Sequence, residues 1–379
     1  MKKNIYFITS VDPLLDTGAS IIRRGQIKYL RENNFNVIVV SPGENLLVEK
    51  NRIIVPSITT SKIRYLFEAF GIIKDKDINW AKQVRHVLKD VVTEDDIIFV
   101  TTGGSMAPIF AGYWLKKDTQ AKLIINYHDP TSFTTLNGDL FTRSFHVNRD
   151  NLERKYINEA DYIITSSIAY LKNLVRKYPC IANKASCCYF GFIQPIEGCG
   201  CTLTEQESIN IVYGGNMGQT QAPEILAEAV DGMDNVKAFF IGNYHSNPTL
   251  LKYKGSKNVE LIESMDLNSF YEFLKDKADV GFFSLRTYLS DYCVPSKLFD
   301  YINLELPCLA VVRGDAADII KENGFGFVSE DSVESLRIEI RKINRSDTLT
   351  QFKTNLKEKK YMWSMQYLTK DICKILEKI

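Results

Sequence analysis

The sequence has no apolar stretch approaching the ~20 residues of a membrane-spanning helix. It has almost no charge imbalance: 47 Lys and Arg stand against 46 Asp and Glu, a formal net charge of +1. A general nucleic-acid binder carries a clear basic excess, so nucleic acid is not an expected partner. A small anionic ligand stays open, because it needs only a local positive site. No Cys-x-x-Cys pair of the zinc-ribbon kind appears among the eight cysteines. Five of these cluster at Cys180, Cys187, Cys188, Cys199 and Cys201, and read as small buried thiols near a connection between domains. No Asp-x-Asp pair reads as a metal–phosphate site, and Glu94-Asp95-Asp96, just before a strand, reads as a solvated turn. No metal and no cofactor are expected.

The apolar run at the N-terminus, Ile5–Ile8, is broken too soon for a signal peptide and is β-branched and aromatic, so it reads as a first strand. Without an export signal the cysteines are expected to be reduced thiols and the chain cytoplasmic. With 379 residues, 45% hydrophobic and 25% charged, the chain is globular and suits two α/β domains better than one core.

Short β-branched runs alternate with amphipathic segments along most of the sequence. Ile5–Ser10, Val37–Val40, Ile97–Val100, Lys122–Tyr127 and Tyr162–Thr165 are expected strands, with helices over Ser20–Asn33 and over Asp77–Val91, the second opened by Asp77 as its N-cap. Ser166 and Ser167 are placed to cap the helix after Tyr162–Thr165. Around Gly191–Ser208 the periodicity stops, which marks a domain boundary. The alternation restarts with strands at Ile209–Tyr213, Val236–Ile241, Val280–Ser284 and Cys308–Val312. The helices between them are Pro223–Val230, Leu267–Lys277 and Ser296–Leu304, and a helical tail covers Thr348–Ile379. The fold class is therefore α/β: two Rossmann-like doubly wound domains, residues 1–195 and 205–360, with a C-terminal helix over 361–379 that can pack on the first domain.

Doubly wound domains bind ligands at the carboxyl ends of their strands, and four loops there stand out. Asp16-Thr17-Gly18-Ala19-Ser20 follows the first strand, with Arg23 and Arg24 in the next helix. Gly18 lets a ligand approach the backbone at a helix N-terminus that favours anions, though the stretch is also an ordinary capped turn. It is not the Gly-x-Gly-x-x-Gly of a dehydrogenase. His128-Asp129-Pro130-Thr131-Ser132 places one of only four histidines beside an acid at a strand end, where imidazole can hydrogen-bond a hydroxyl. Gly214-Gly215-Asn216-Met217-Gly218-Gln219 follows the first strand of the second half and can cradle a phosphate or simply turn the chain. Pro295-Ser296 opens a helix in which Lys297 and Asp300 lie at i, i+3. Its N-terminus, the Ser296 hydroxyl and the Lys297 ammonium suit a diphosphate, and Asp300 suits ribose hydroxyls. The same residues also read as a solvent-exposed pair on a capped helix.

At these residues the sequence resembles the family-4 glycosyltransferases of the GT-B fold, especially the bacterial capsule and O-antigen type. The resemblance covers nearly the whole chain. It is most specific in Pro295-Ser296-Lys297-Leu298-Phe299-Asp300-Tyr301 with Leu306-Pro307, in Gly214-Gly215-Asn216-Met217-Gly218 with Gln221, and in Thr17-Gly18-Ala19-Ser20. It implies a metal-independent, hexosyltransferase-like enzyme that acts with retention, its active site in a cleft between the two halves. The second half would hold a UDP- or GDP-linked sugar and the first would bring a saccharide or polyprenyl-linked acceptor. By the resemblance His128, Asp129 and Lys297 are catalytic. Gly18, Gly215, Asn216, Gly218, Ser296, Lys297 and Asp300 bind the donor. Asp300 takes the place of the second acid of the family's Glu-x7-Glu motif. The first acid falls on Tyr292, and the two cations of the glycine loop on Asn216 and Gln221, so Lys297 would carry more of the phosphate, with Arg23 or Arg286 compensating.

Two other classes share the two-domain plan: a nucleotide-sugar epimerase, for which no evident set of cleft carboxylates is present, and a two-lobed binding protein without catalysis. The segment Lys62–Phe70 mixes basic and aromatic residues. It reads as a helix packed on its own sheet, with a peripheral contact to the inner face of the cell membrane as the alternative.

Overall fold

The structure, a computed structural model, describes residues 3–15, 17–57, 62–103, 105–136, 139–142, 147–196, 198, 208–218, 220–285, 292–343 and 346–379. Asp16, Cys199, Cys201, Gln219 and Arg286 lie outside the described residues. The chain forms two compact units. One comprises Met1–Ile193 with Met365–Ile379, and the other Gln194–Ser364.

In the first unit the order is β1 (Asn4–Thr9), α1 (Gly18–Glu32), β2 (Asn36–Gly43), β3 (Leu47–Glu49), β4 (Arg52–Pro56), α2 (Lys62–Ala69), α3 (Ile78–Leu88), β5 (Ile97–Thr102), α4 (Ala107–Thr119), β6 (Lys122–Tyr127), a hairpin β7–β8 (Phe133–Leu136 and Asp139–Thr142), α5 (Val147–Glu159), β9 (Tyr162–Thr165), α6 (Ile168–Lys177) and β10 (Ala185–Cys187). Eight strands form one sheet in the order β10-β9-β6-β5-β1-β2-β4-β3, and only the β3–β4 pair is antiparallel. The central strands are apolar throughout because helices cover both faces. All six residues of β5 are buried, and Phe7 stacks on Phe99 with ring centroids 5.2 Å apart.

The C-terminal helix Met365–Lys378 completes this unit. Its Ile372, Cys373 and Leu376 join the core formed by Ile5, Phe7, Ile27 and Leu30, and the Met365 amide donates to the Phe192 carbonyl at 2.7 Å. A side chain at Gly25 would meet Met365 Sδ at 2.4 Å and Ile193 at 2.9 Å, so α1 approaches this helix where it has no side chain. The tail is thus two helices, Ser346–Lys359 in the second unit and Met365–Lys378 in the first, separated by a 3-10 turn.

The second unit runs β11 (Ile209–Gly214), α7 (Glu224–Val230), β12 (Val236–Ile241), α8 (Pro248–Leu251), β13 (Val259–Ile262), α9 (Leu267–Lys277), β14 (Val280–Ser284), the helix Ser296–Asn303, β15 (Cys308–Val311), the helix Asp315–Asn323, β16 (Gly326–Ser329), and the helices Val333–Ile343 and Ser346–Lys359. Its six strands are all parallel, in the order β13-β12-β11-β14-β15-β16.

Strand order reverses beside β1 in the first sheet, with β2 on one side and β5 on the other, and beside β11 in the second, between β12 and β14. Loops at the carboxyl ends of strands flanking such a reversal are where doubly wound sheets bind ligands. Those loops begin after Thr9, Thr102, Gly214 and Ser284, and the loop after Tyr127 follows β6, the next strand beyond β5.

Two local expectations need correction. Asp77 sits at the N-cap position of α3 but makes no side-chain cap bond, and its carboxylate lies 3.4 Å from Lys76 Nζ. Asp96 is buried and not a solvated turn residue: it accepts from the Asn4 backbone and side chain and from Thr93, closing the start of β5 onto β1. Of the clustered cysteines, Cys188 is buried, with its thiol pushed up to about 12 by burial, whereas Cys180 is exposed.

Candidate functional site

In the first unit the loop after β1 leads into α1 through Thr17, whose hydroxyl caps the helix by accepting from the Ser20 amide at 3.2 Å. A Cβ at Gly18 would meet nothing within 4 Å, so the backbone there is open. Further along α1, Arg23 turns inward and is 1% exposed. Its Nε donates to Thr101 Oγ1 at 3.0 Å and its Nη1 to the Ala19 carbonyl at 2.8 Å, while Nη2 has no hydrogen-bond partner among the described residues. That free N–H group lies 2.9 Å from where a Cβ of Gly103 would be, so any side chain at the end of β5 would crowd it. Burial lowers the guanidinium to about 10, and the nearby Asp129 charge works against that shift.

His128 sits at the end of β6, buried, with its ring 4.7 Å from Phe190. The Asn126 amide is 3.2 Å from Nε2 and also points at Gln26 Oε1. With Asn126 donating to both, Nε2 is an acceptor and the ring proton sits on Nδ1, an assignment from the hydrogen-bond network. Burial, assisted by the Arg23 charge, pushes the imidazole well below its ordinary value, so it is neutral at pH 7. Asp129 is exposed.

The rest of this loop is structural. The Thr131 and Ser132 hydroxyls both donate to the fully buried carboxylate of Glu153 on α5, which also accepts from Tyr178 at 2.9 Å. Ser166 does not cap α6; it donates to the His128 carbonyl at 2.9 Å, and Ser167 alone caps by accepting from the Tyr170 amide at 3.1 Å. The loop is therefore clamped at His128, Thr131 and Ser132. No local signal in the sequence links Glu153 to it.

In the second unit the glycine loop follows β11. Gly214 packs under the Phe270 ring, which would be 2.2 Å from a Cβ there. Gly215 adopts φ +113, outside the range of ordinary L-residues, and a Cβ would be 3.2 Å from both Cε and Nζ of Lys297. The Lys297 ammonium thus lies against the backbone of the loop, 5.3 Å from the Tyr213 ring centroid. Burial lowers its pKa, with Asp300 working in the opposite sense.

Asn216 folds back on its own loop, its Oδ1 accepting from the Gly218 amide at 3.0 Å. The Tyr213 hydroxyl donates to the Asn216 carbonyl. Gln221 Oε1 is buried without a hydrogen-bond partner among the described residues and lies 3.4 Å from where a Cβ of Gly218 would be. Ser284, at the end of β14, donates to the Gln221 carbonyl, so the two strand ends at the reversal are tied together.

The helix Ser296–Asn303 starts after Pro295, with the Ser296 side chain exposed. One turn in, Asp300 Oδ1 accepts from the Tyr271 hydroxyl at 2.9 Å. Burial raises this carboxyl to about 6, against the opposing effects of Tyr271 and Lys297. Tyr271 lies on α9, and nothing in the local sequence announces the bond. Tyr292, where the resemblance places an acid, is buried.

The structure therefore gathers Arg23, Gly103, His128 and Asp129 in the first unit, and Gly215, Asn216, Gly218, Lys297 and Asp300 in the second. Gly18 and Ser296 open the helices beside these groups. Among the described residues no group of three His, Cys, Asp or Glu side chains could hold a metal ion.

No family model matches the sequence, and no curated protein matches it. Solved structures do. A glycosyltransferase from Rickettsia africae is 14% identical, with 100% of this chain and 99% of that one covered and a TM-score of 0.67. Sucrose-phosphate synthase from Thermosynechococcus elongatus is 12% identical over 99% of both chains, with a TM-score of 0.73. Anabaena HepE, in complex with UDP-glucose, is 11% identical over 99% of this chain and 100% of its own, with a TM-score of 0.69. At such identities the likeness establishes the fold, and the chain has the GT-B fold.

Proposed function

We propose that this chain is a glycosyltransferase that moves a sugar from a nucleotide-sugar donor to a saccharide or lipid-linked acceptor with retention, without a metal, in building a surface polysaccharide. One observation carries the reading. The Lys297 ammonium lies against the backbone of Gly215, at the start of a helix that presents Asp300 one turn later. An ammonium, a glycine backbone with no Cβ between it and a ligand, and a helix N-terminus form a diphosphate site. A carboxylate one turn on is suited to ribose hydroxyls. Because Tyr271 already donates to Oδ1, the ribose would be held chiefly by Oδ2. The UDP-glucose bound to HepE supports a UDP-linked donor, with a GDP-linked sugar as the alternative.

Cleaving the bond to the anomeric carbon develops negative charge on the diphosphate. Lys297 and the first-turn amides are fixed before the reaction, so they stabilise that charge without reorganising. Asn216 and Gln221 bring no charge to the loop, and Asn216 spends its carbonyl on Gly218, which leaves Lys297 the principal cation of the second unit's site among the described residues. The His128 imidazole, neutral at pH 7, offers an Nδ1–H donor to a sugar or acceptor hydroxyl, and Asp129 stands beside it as the acid of the pair. Gly18 would admit the donor or acceptor close to the first unit's backbone.

Incubation with labelled UDP- and GDP-sugars and an extract containing saccharide and lipid-linked acceptors tests the reading. Label transferred to an acceptor supports it. Epimerised donor, or binding with neither transfer nor epimerisation, refutes it in favour of the other two classes.

A further inference from the structure

A cavity of about 440 Å³ in the first unit is lined by Arg64 and Phe67 of α2, Ile73 and Lys74 of the following turn, Ile78, Asn79 and Lys82 of α3, and Trp114 of α4. None of these residues belongs to the site described above. Three of the lining side chains are cationic and none is acidic. Beside the cavity, the described side chains of α2 are disposed the opposite way from those of an ordinary surface helix. Ile63, Leu66 and Phe67 are exposed, followed by Phe70 at 78% and Ile72 at 66%, while Glu68 is buried. Residues 63, 66, 67 and 70 follow the i, i+3, i+4, i+7 spacing that places them in one stripe. Ile63, Leu66, Phe67 and Phe70 therefore do not pack on the sheet as expected for a helix lying against it.

The inversion is held by charge. Arg149 of α5 is 5% exposed and pairs with Glu68 through Nε at 2.6 Å, and with Asp75 at 3.3 Å. The Glu68 carboxylate also accepts from the Lys76 amide at 3.1 Å, and Arg64 Nε donates to the Lys76 carbonyl at 2.8 Å. A helix clamped by a buried ion pair on its polar side cannot roll to hide its apolar side. Exposed apolar residues packed this densely on one short segment mark an interaction surface.

We propose that α2 and the adjoining cavity form a docking surface for an anionic lipid bilayer. The apolar stripe would enter the boundary between headgroups and acyl chains, and Arg64, Lys74 and Lys82 would take lipid phosphates at the cavity mouth, with Trp114 and Phe67 at headgroup depth. The charge pattern selects this occupant: a purely apolar partner would leave three cations without counter-charges. The inference goes beyond the donor reading. Vesicle binding needs no nucleotide and nucleotide binding needs no vesicle, so either can fail while the other stands.

The test is flotation of the full chain with vesicles of phosphatidylcholine alone and of phosphatidylcholine with phosphatidylglycerol, at low and high salt. The chain should float with the mixed vesicles, less so at high salt, and poorly with phosphatidylcholine alone. Each cation near an anionic surface contributes about a fivefold gain in partitioning, so Lys74→Gln with Lys82→Gln should lower it about 25-fold. Leu66→Ser with Phe70→Ser should abolish flotation. Both variants change exposed side chains and should keep the parent's melting temperature. No flotation with the mixed vesicles, or flotation unchanged in both variants, overturns the proposal. So does a concentration-dependent dimer in lipid-free solution that Leu66→Ser with Phe70→Ser dissociates, since a second copy would then be the occupant.

Discussion

Replacing Arg149 with Met tests how the first unit holds both its surface helix and its candidate site. Arg149 contacts Glu68 and Asp75, whose side chains are 8% and 0% exposed, and donates to the Thr131 carbonyl at 3.4 Å in the loop that carries His128. Met has similar length and no charge, so the packing stays while two buried carboxylates lose their counter-ion. Breaking a buried pair in this way costs about 3–5 kcal/mol. A domain of roughly 150–250 residues shifts by about 2–4 °C per kcal/mol, so the first unit's thermal transition should fall by roughly 6–20 °C at pH 7. The loss should depend on pH with a definite sign. Burial already raises Asp75 from 3.8 to about 6, and Arg149 works against that shift. A carboxyl raised in the folded state destabilises when ionised, and stability returns as the pH falls through the folded pKa. Without Arg149 the Asp75 pKa rises further and protonation relieves the variant earlier. The gap between parent and variant should therefore narrow between pH 7 and pH 5. Thermal unfolding followed by circular dichroism across that range measures it. A transition within about 2 °C of the parent at pH 7, or a gap of equal size at both pH values, would refute the assignment of the triad.

Further outcomes follow from the site geometry. The Tyr271 hydroxyl lowers the Asp300 pKa, and a hydrogen bond to a charged group is worth about 1.5–3 kcal/mol, so Tyr271→Phe should raise that pKa by about one to two units. If the Asp300 carboxylate binds the donor, affinity in the parent should fall as pH drops below about 6, and in Tyr271→Phe the fall should begin at higher pH; calorimetric titration of UDP against pH reads both, and superimposable profiles would contradict the role. Gly215→Val puts a branched side chain at φ +113 against Lys297, a strain of about 1–3 kcal/mol, and should abolish donor binding with only a modest drop in melting temperature. His128→Ala should lower turnover while leaving donor affinity near that of the parent, and unchanged turnover would make His128 a purely structural residue.

The central strands of both sheets were legible because a strand covered on both faces is a run of apolar residues. Val37–Val40 and Ile97–Val100 lie within observed strands of the first sheet, Val236–Ile241 and Val280–Ser284 match strands of the second, and Leu267–Lys277 matches a helix end to end. The edge strands were not legible. Leu47–Glu49 is exposed along its length, and Val259–Ile262 and Gly326–Ser329 each bury one residue of four, so neither a period of two nor a continuous run marks them; Arg52–Pro56, one strand in from the edge, alternates half-buried and buried residues over only five positions. The strand-end loops could be picked out because glycine, histidine and proline punctuate them. Their supports could not, since Glu153 under Thr131 and Ser132, Tyr271 on Asp300 and Arg149 under α2 are contacts between residues far apart in the chain. The orientation of α2 was hidden for the same reason: its stripe reads as a core face until the burial of Glu68 shows which side is anchored.

Lys297 and Asp300 beside the Gly215 loop are proposed to hold a nucleotide diphosphate. Calorimetric titration of the parent, Lys297→Ala and Asp300→Ala with UDP, GDP and their sugar conjugates tests it most directly, with melting temperatures recorded for each protein. The parent should bind saturably, and each variant should lose at least about tenfold in affinity, or about 1.4 kcal/mol, with the fold intact. Binding by both folded variants at the parent's affinity would contradict it.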